Sequence, residues 1–187
     1  MVAFESTIER DCIYCLEFDP LVHSYEEQPL VITYPYRERL TTYTPDFLAQ
    51  YRDRQRLLEC KSEAQVDHPD NQRKFVAGRQ WSHEHRCEYI VVTERDLRTG
   101  HRLANIKLLT RFARHPAPRD RLTRTLAMVT SQSTGLSIAD LITALGNATP
   151  DHVAQADIYH LLYRGALLTD METPLSRLSR VNLGGKP

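Results

Sequence analysis

The chain has no excess of charge. Its 24 Lys+Arg balance 24 Asp+Glu over 187 residues. A uniformly basic nucleic-acid-binding surface is excluded, so any phosphate contact has to come from local clusters. Long apolar runs are missing too, and no basic-then-apolar opening reads as a signal peptide. The expectation is a soluble, cytoplasmic protein with no membrane partner. A second cysteine pair is also lacking. Cys12 and Cys15 form a lone C-x-x-C, Cys60 and Cys87 stand apart, and the eight histidines are scattered. Zinc usually takes a second pair or histidines at ligand spacing, so buried free thiols in a reducing cytosol are expected instead. Repeats and low-complexity tracts are absent. What remains is an ordinary globular balance, 41% hydrophobic and 26% charged, in a chain long enough for one domain plus a small appendage.

Local patterns divide the chain. Ser6-Thr7-Ile8-Glu9 has the S-x-x-E form of a capping box, and Ile8, Cys12, Cys15 and Leu16 follow at helical spacing. Asp19-Pro20 ends that helix, because proline disfavours helix at the residue before it. Residues 22–25, 29–36 and 40–44 read as extended, with 47–51 continuing the third and 56–61 pairing back. Residues 69–86 read as a helix, 87–94 as a buried strand and 101–113 as a further helix. A helical crossover between residue 61 and residue 89 implies that the strands it joins are parallel. His115-Pro116-Ala117-Pro118 reads as a stiff linker. Beyond it, three helical segments and a short hairpin fit a small winged helix. The expected organisation is an α/β domain over 1–114, a linker over 115–118 and a mainly α, winged-helix-like domain over 119–187.

Asp46, Glu59 and Lys61 carry the chemistry in this layout. Asp46 follows Pro45 at the head of one strand, and Glu59-Cys60-Lys61 closes its neighbour. Glu59 and Lys61 are two apart, so they share a face, while Cys60 points to the other and suits a core. Phosphodiester hydrolysis needs an activated water and neutralisation of phosphoryl charge, which magnesium held by one or two carboxylates supplies. Asp46, Glu59 and the backbone carbonyl of Cys60 are the candidate metal ligands. Lys61 is the candidate ammonium that orients the nucleophile. On spacing alone the pattern fits a charged surface hairpin as well as a nuclease site. By the same measure Glu9, three residues after Ser6, is a helix cap, and Lys74 is a weaker cation candidate than Lys61.

The order of motifs is more specific than any one of them. "STIERDCIYCLEFDPLVHSYEEQPLVITY", then "YTPDF", "LLECK", a helix and "EYIVVTERDL" resembles the TnsA-type endonuclease of heteromeric, Tn-seven-like transposases. The resemblance covers most of residues 6–109. It implies a restriction-endonuclease-like mixed sheet flanked by helices, whose helix Glu, strand Asp and (E/Q)-x-K match Glu9, Asp46, and Glu59 with Lys61. Glu9 thereby gains a catalytic and metal-binding reading. The cofactor implied is Mg2+, with Mn2+ as a substitute. The implied task is cutting the non-transferred (5′) strand at transposon ends, alongside a TnsB-like DDE transposase. The tail "IYHLLYRGALLTDMETPLS" resembles the family's second domain, which contacts a TnsC-like ATPase. Glu27-Gln28-Pro29 matches a family triplet and is assigned no chemistry.

Arginine clusters offer DNA contacts. Arg52, Arg54 and Arg56 surround the turn before the E-x-K strand and are candidates for contact near the scissile phosphate. Arg111, Arg114, Arg119 and Arg121 belong to a basic stretch across the Pro-containing segment. A solvated surface explains both clusters as well. His83 and His85 sit near a helix end and are not taken as ligands. Two alternatives stand beside the transposase subunit: a free-standing restriction or repair nuclease, and a non-catalytic adaptor between transposase and ATPase.

Overall fold

Helix α1 (Thr7–Phe18) stops at Asp19-Pro20, as the proline requires, and buries Ile8, Cys12 and Leu16. The computed structural model describes residues 7–131, 135–146 and 148–185. Ser6, the expected cap, and Glu5 lie outside them. Two compact units divide the chain, Met1–Thr99 and Gly100–Pro187.

In the first unit α1 is followed by β1 (Val22–Glu27), β2 (Ile32–Tyr36), β3 (Arg39–Tyr43), β4 (Phe47–Tyr51) and β5 (Gln55–Cys60). Helices α2 (Glu63–Val66) and α3 (Pro69–Glu84) lead to β6 (Glu88–Val92) and α4 (Glu94–Arg98). The sheet order is β1-β4-β5-β6. The first two pairings are antiparallel, and β5 and β6 are parallel, as a crossover helix demands. The unit is mixed α/β. Strands β2 and β3 form a hairpin of their own, outside that sheet. The sequence suggested that residues 40–44 run on into 47–51. They do not, because Pro45 between them has no N–H to donate to a ladder.

Alternation along β4 and β5 builds two cores. Phe47, Ala49, Leu58 and Cys60 face α1. Leu57 lies on the other face with Tyr43, Ala77, Trp81 and Tyr89, beneath α3. Strand β5 is buried on both faces from Leu57 to Cys60. Each large apolar side chain so buried contributes about 1.5–3 kcal/mol. This rigid strand carries Glu59.

The second unit contains α5 (Arg102–Thr110), α6 (Arg119–Thr130), β7 (Leu136–Ser137), α7 (Ile138–Leu145), α8 (Asp151–Tyr163), β8 (Leu167–Thr169) and β9 (Arg180–Leu183). Its strands form an antiparallel sheet in the order β7-β9-β8. Ser137 caps α7 by accepting from the Asp140 N–H at 3.1 Å. Gly165, at φ +68°, ends the turn after α8.

The two compact units meet at a different point from the Pro-containing segment. The division falls at residue 99/100, so α5 belongs to the second unit. The His-Pro-Ala-Pro segment is no free linker. His115 Nε2 meets Asp157 Oδ1 of α8 at 2.9 Å, and His160 Nδ1 meets the Phe112 carbonyl at 2.8 Å. Phe112 stands edge-on to Tyr159 at 5.1 Å. Two prolines stiffen the segment, but side chains from α8 pin it.

Candidate active site

Asp46 is fixed by its backbone before its side chain acts. Its N–H donates to the Leu58 carbonyl at 3.1 Å, and its carbonyl accepts from the Gln28 N–H at 2.8 Å. Gln28 adopts φ 48°, an uncommon left-handed conformation for a residue with a side chain. The end of β1 and the end of β5 thus grip Asp46 from both sides. One carboxylate oxygen, Oδ2, accepts from the Cys60 N–H at 2.6 Å. The register Phe47↔Leu58, carried one residue further, sets Asp46 opposite Glu59.

Glu59 and Lys61 share a face, as their spacing requires. Lys61 Nζ lies 3.2 Å from Glu59 Oε1. The Lys61 N–H donates to the Val92 carbonyl at 2.9 Å, extending the β5–β6 pairing past the strand end and fixing the lysine's root. Glu59 is only 3% exposed. Among the described residues nothing hydrogen-bonds its second oxygen, Oε2. Burial pushes its pKa up to about 7, and the nearby Asp46 charge adds to the rise. Lys61 and Lys74 pull it back. A carboxyl group that exchanges its proton near neutrality is what acid–base work requires.

The donor set at the strand ends suits a hard cation. Asp46 and Glu59 offer carboxylate oxygens, and the Cys60 N–H, next to Glu59 in β5, donates to Asp46 Oδ2. Magnesium takes one or two carboxylates and keeps waters for the rest. The unpartnered Oε2 of Glu59 is the atom most in need of a cation or a proton. No group of three or more His, Cys, Asp or Glu side chains placed to hold a metal occurs among the described residues. Two carboxylates with room for waters are what a magnesium ion asks of a protein, and among the described residues that pair, rather than a closed cage, is what the strand ends offer.

Residues 19–94 match the family model described as TnsA-like endonuclease N terminal. The match includes Asp46, Glu59 and Lys61. That part of the first unit is similar to a TnsA-like endonuclease domain. No curated protein matches the chain.

Glu9 precedes the matched stretch of the TnsA-like domain. It is half-buried on α1, beside Ile8. Cys60 faces the same side, where a hydrogen bond with Cys12 and burial push its thiol well above the ordinary range. It is a protonated core thiol, as expected from its alternation. The charges of Asp46 and Glu9 are both felt at Cys60, and that of Asp46 is felt at Glu59 as well.

The predicted arginine contacts fare differently. The β4–β5 turn lies at the opposite end of the strands from Asp46 and Lys61. Arg56 Nε pairs with Glu88 at 2.8 Å and Arg54 Nη1 with Glu88 at 3.3 Å, while Arg52 is exposed. A contact near the scissile phosphate does not fit that position. In the second unit Arg121 binds Asp157 through both Nε and Nη2, so its role is structural. Arg111, Arg114 and Arg119 are exposed. His85 stacks on Trp81 with ring centroids 4.0 Å apart and takes part in no metal cluster among the described residues.

Three residues around the domain's site escaped the sequence reading. Gln28 positions Asp46, and no signal in a single sequence marks its left-handed backbone. Gly78 of α3 lies so close to the sheet that a Cβ there would collide with the Tyr43 hydroxyl and the Tyr89 ring. Asp11 is buried, and its Oδ2 accepts from Arg98 Nε at 2.8 Å, tying α1 to α4. Asp11 did leave a trace: it sits three residues after Ile8 and beside Cys12, on the helix's apolar side.

Proposed function

We propose that this chain is the metal-dependent endonuclease subunit of a Tn-seven-like cut-and-paste transposase. It cleaves the non-transferred (5′) strand at transposon ends beside a TnsB-like DDE transposase. One observation carries the reading: Asp46, Glu59 and Lys61 of a TnsA-like endonuclease domain converge at the carboxyl end of β5. Asp46 and Glu59 would hold Mg2+, or Mn2+ in its place, with the Cys60 carbonyl as a third oxygen and Glu9 as a further ligand or base. When bound, the cation supplies charge neutralisation at the phosphoryl group and a more acidic water. The chain's own residues do the rest. Strand β5 holds Glu59 and Lys61 in register, and the Gln28 and Leu58 bonds hold Asp46 against them. The Lys61 ammonium orients the nucleophilic water and stabilises charge that develops on the phosphoryl oxygens.

The second unit, with helices α6–α8 and its three-stranded sheet, is read as a winged-helix-like module that docks a TnsC-like ATPase. A neutral net charge agrees with a subunit that depends on partners to hold DNA.

The test is nicking of transposon-end DNA by the full chain with its partner transposase and Mg2+. Asp46→Ala and Lys61→Ala are expected to lose about 10²–10³-fold in rate while staying folded, and EDTA is expected to abolish nicking in the parent. Parent-level cutting by either variant removes the assignment.

A further inference from the structure

We propose that Lys74 is a second phosphate anchor of this active site, contacting a non-bridging oxygen of the DNA phosphodiester from the α3 side. It rests on the nuclease reading above and adds a residue that none of the motifs contains.

Topology puts Lys74 in place. Helix α3 joins β5 to the parallel strand β6, so it runs opposite to β5 and its first turns overlie the carboxyl end of that strand. Lys74, Ala77, Gly78 and Trp81 recur at helical spacing on one face. Ala77 and Trp81 pack with Leu57, Tyr43 and Tyr89. Gly78 lets the helix backbone touch the Tyr43 hydroxyl and the Tyr89 ring. Lys74 is one turn before Gly78, about 6 Å along the helix. Two residues along β5, from Leu57 to Glu59, cover about 6.6 Å. Lys74 therefore stands level with Glu59 when Gly78 stands level with Leu57.

Electrostatics agree with that placement. The Lys74 charge is felt at Glu59, where it favours the ionised carboxylate. Lys61 already occupies Glu59 Oε1, and Lys74 forms no ion pair of its own among the described residues. Lys74 is half-buried, as suits a lysine whose stem lies along apolar surface while its head stays wet. Once Asp46 and Glu59 are committed to a divalent cation, two ammoniums remain on the same face with no carboxylate to neutralise them. A phosphodiester is the anion that the proposed reaction brings there.

The experiment measures binding of a transposon-end duplex to the full chain in EDTA across a salt series, and then nicking with the partner transposase and Mg2+. Parent, Lys74→Ala and Lys74→Arg are compared. For Lys74→Ala the slope of log K against log[salt] is expected to shrink by about 0.9, about an eightfold weaker affinity at 0.1 M salt counted from 1 M. Its KM rises while kcat changes little, and Lys74→Arg stays near the parent. An unchanged slope and KM in a folded Lys74→Ala overturns the anchor. Should that variant misfold, Lys74→Gln is read by the same criteria. The binding arm requires no cleavage. A parent that binds with the Lys74-dependent slope yet never nicks sinks the nuclease reading alone. A parent that nicks, with Lys74→Ala indistinguishable from it, sinks the anchor alone.

Discussion

Glu59 of the first unit and Asp157 of the second are both nearly sealed from water, at 3% and 0% exposure. Asp157 meets a full set of donors: Arg121 through two nitrogens and His115 through Nε2. The Arg121 guanidinium is in turn held more firmly protonated by that hydrogen bonding. Among the described residues Glu59 meets one lysine on one oxygen and nothing on the other. Burial and a second carboxylate, Asp46, push it toward the protonated form. A satisfied buried charge ties a structure together. One left half-satisfied costs stability and is tolerated where chemistry needs it.

The strongest way to break this contrast is Arg121→Met. It leaves Asp157 buried with only His115, and the second unit is expected to lose about 3–5 kcal/mol in urea denaturation. The DNA-binding salt slope is expected not to move. A stable Arg121→Met with a smaller slope would return Arg121 to the DNA surface.

Glu59→Gln tests the opposite case. A carboxyl whose folded pKa is raised to about 7 favours the fold below its ordinary value near 4.5. That contribution is lost as pH rises through about 7. In EDTA the parent is therefore expected to weaken, relative to Glu59→Gln, between pH 4.5 and 8. The difference at pH 8 is on the order of 3 kcal/mol in favour of the glutamine variant. Denaturation curves at both pH values check it, and parallel pH dependence in the two proteins refutes it. Nicking is expected to fall in the same variant that gains stability.

Gly78→Ala sharpens the comparison on the Glu59 side. The new methyl group has to displace the Tyr43 hydroxyl or the Tyr89 ring. Burial pushes the Tyr43 hydroxyl up to about 12, and it stays protonated in the core. A loss of about 1–3 kcal/mol is expected in thermal or urea unfolding, with slower nicking because Lys74 and Glu59 move apart. The smallest effect belongs to Arg54→Ala and Arg56→Ala. Glu88 is exposed, so losing its pair with either arginine is expected to leave the unfolding midpoint in urea close to the parent's. Nicking is expected to stay at the parent level, since both lie at the far end of the strands.

Much of the first unit was legible before any coordinates. Proline at residue 20 stopped α1, β-branched and aromatic runs marked the strands, and a helix-length crossover made β5 and β6 parallel. The features that the sequence left open share a cause. The separate β2–β3 hairpin, the place of α5 and the pinning of residues 112–118 all depend on partners distant in sequence. Periodicity reports which face of an element is apolar, not which other element covers it. Asp157 illustrates the limit: it falls among Ala154, Ile158, Leu161 and Leu162 on the buried face of α8. A carboxylate there signals a buried partner without saying that the partners are Arg121 and His115.

The local chemistry is written in residue order: a Pro-Asp at one strand head, Glu and Lys two apart on one face of the next, and a thiol between them facing the core. Those follow from spacing and the two-residue period of a strand. The order of motifs tied them to the TnsA-like endonucleases, and the family match agrees. It takes the packed fold to make Gln28 grip Asp46 and to bury Glu59 with an oxygen that no described residue meets, and it is the fold that the placing of Lys74 beside Glu59 is argued from. These depend on strand register and helix packing. Register and packing are set by contacts among residues far apart in the chain, which no local pattern encodes.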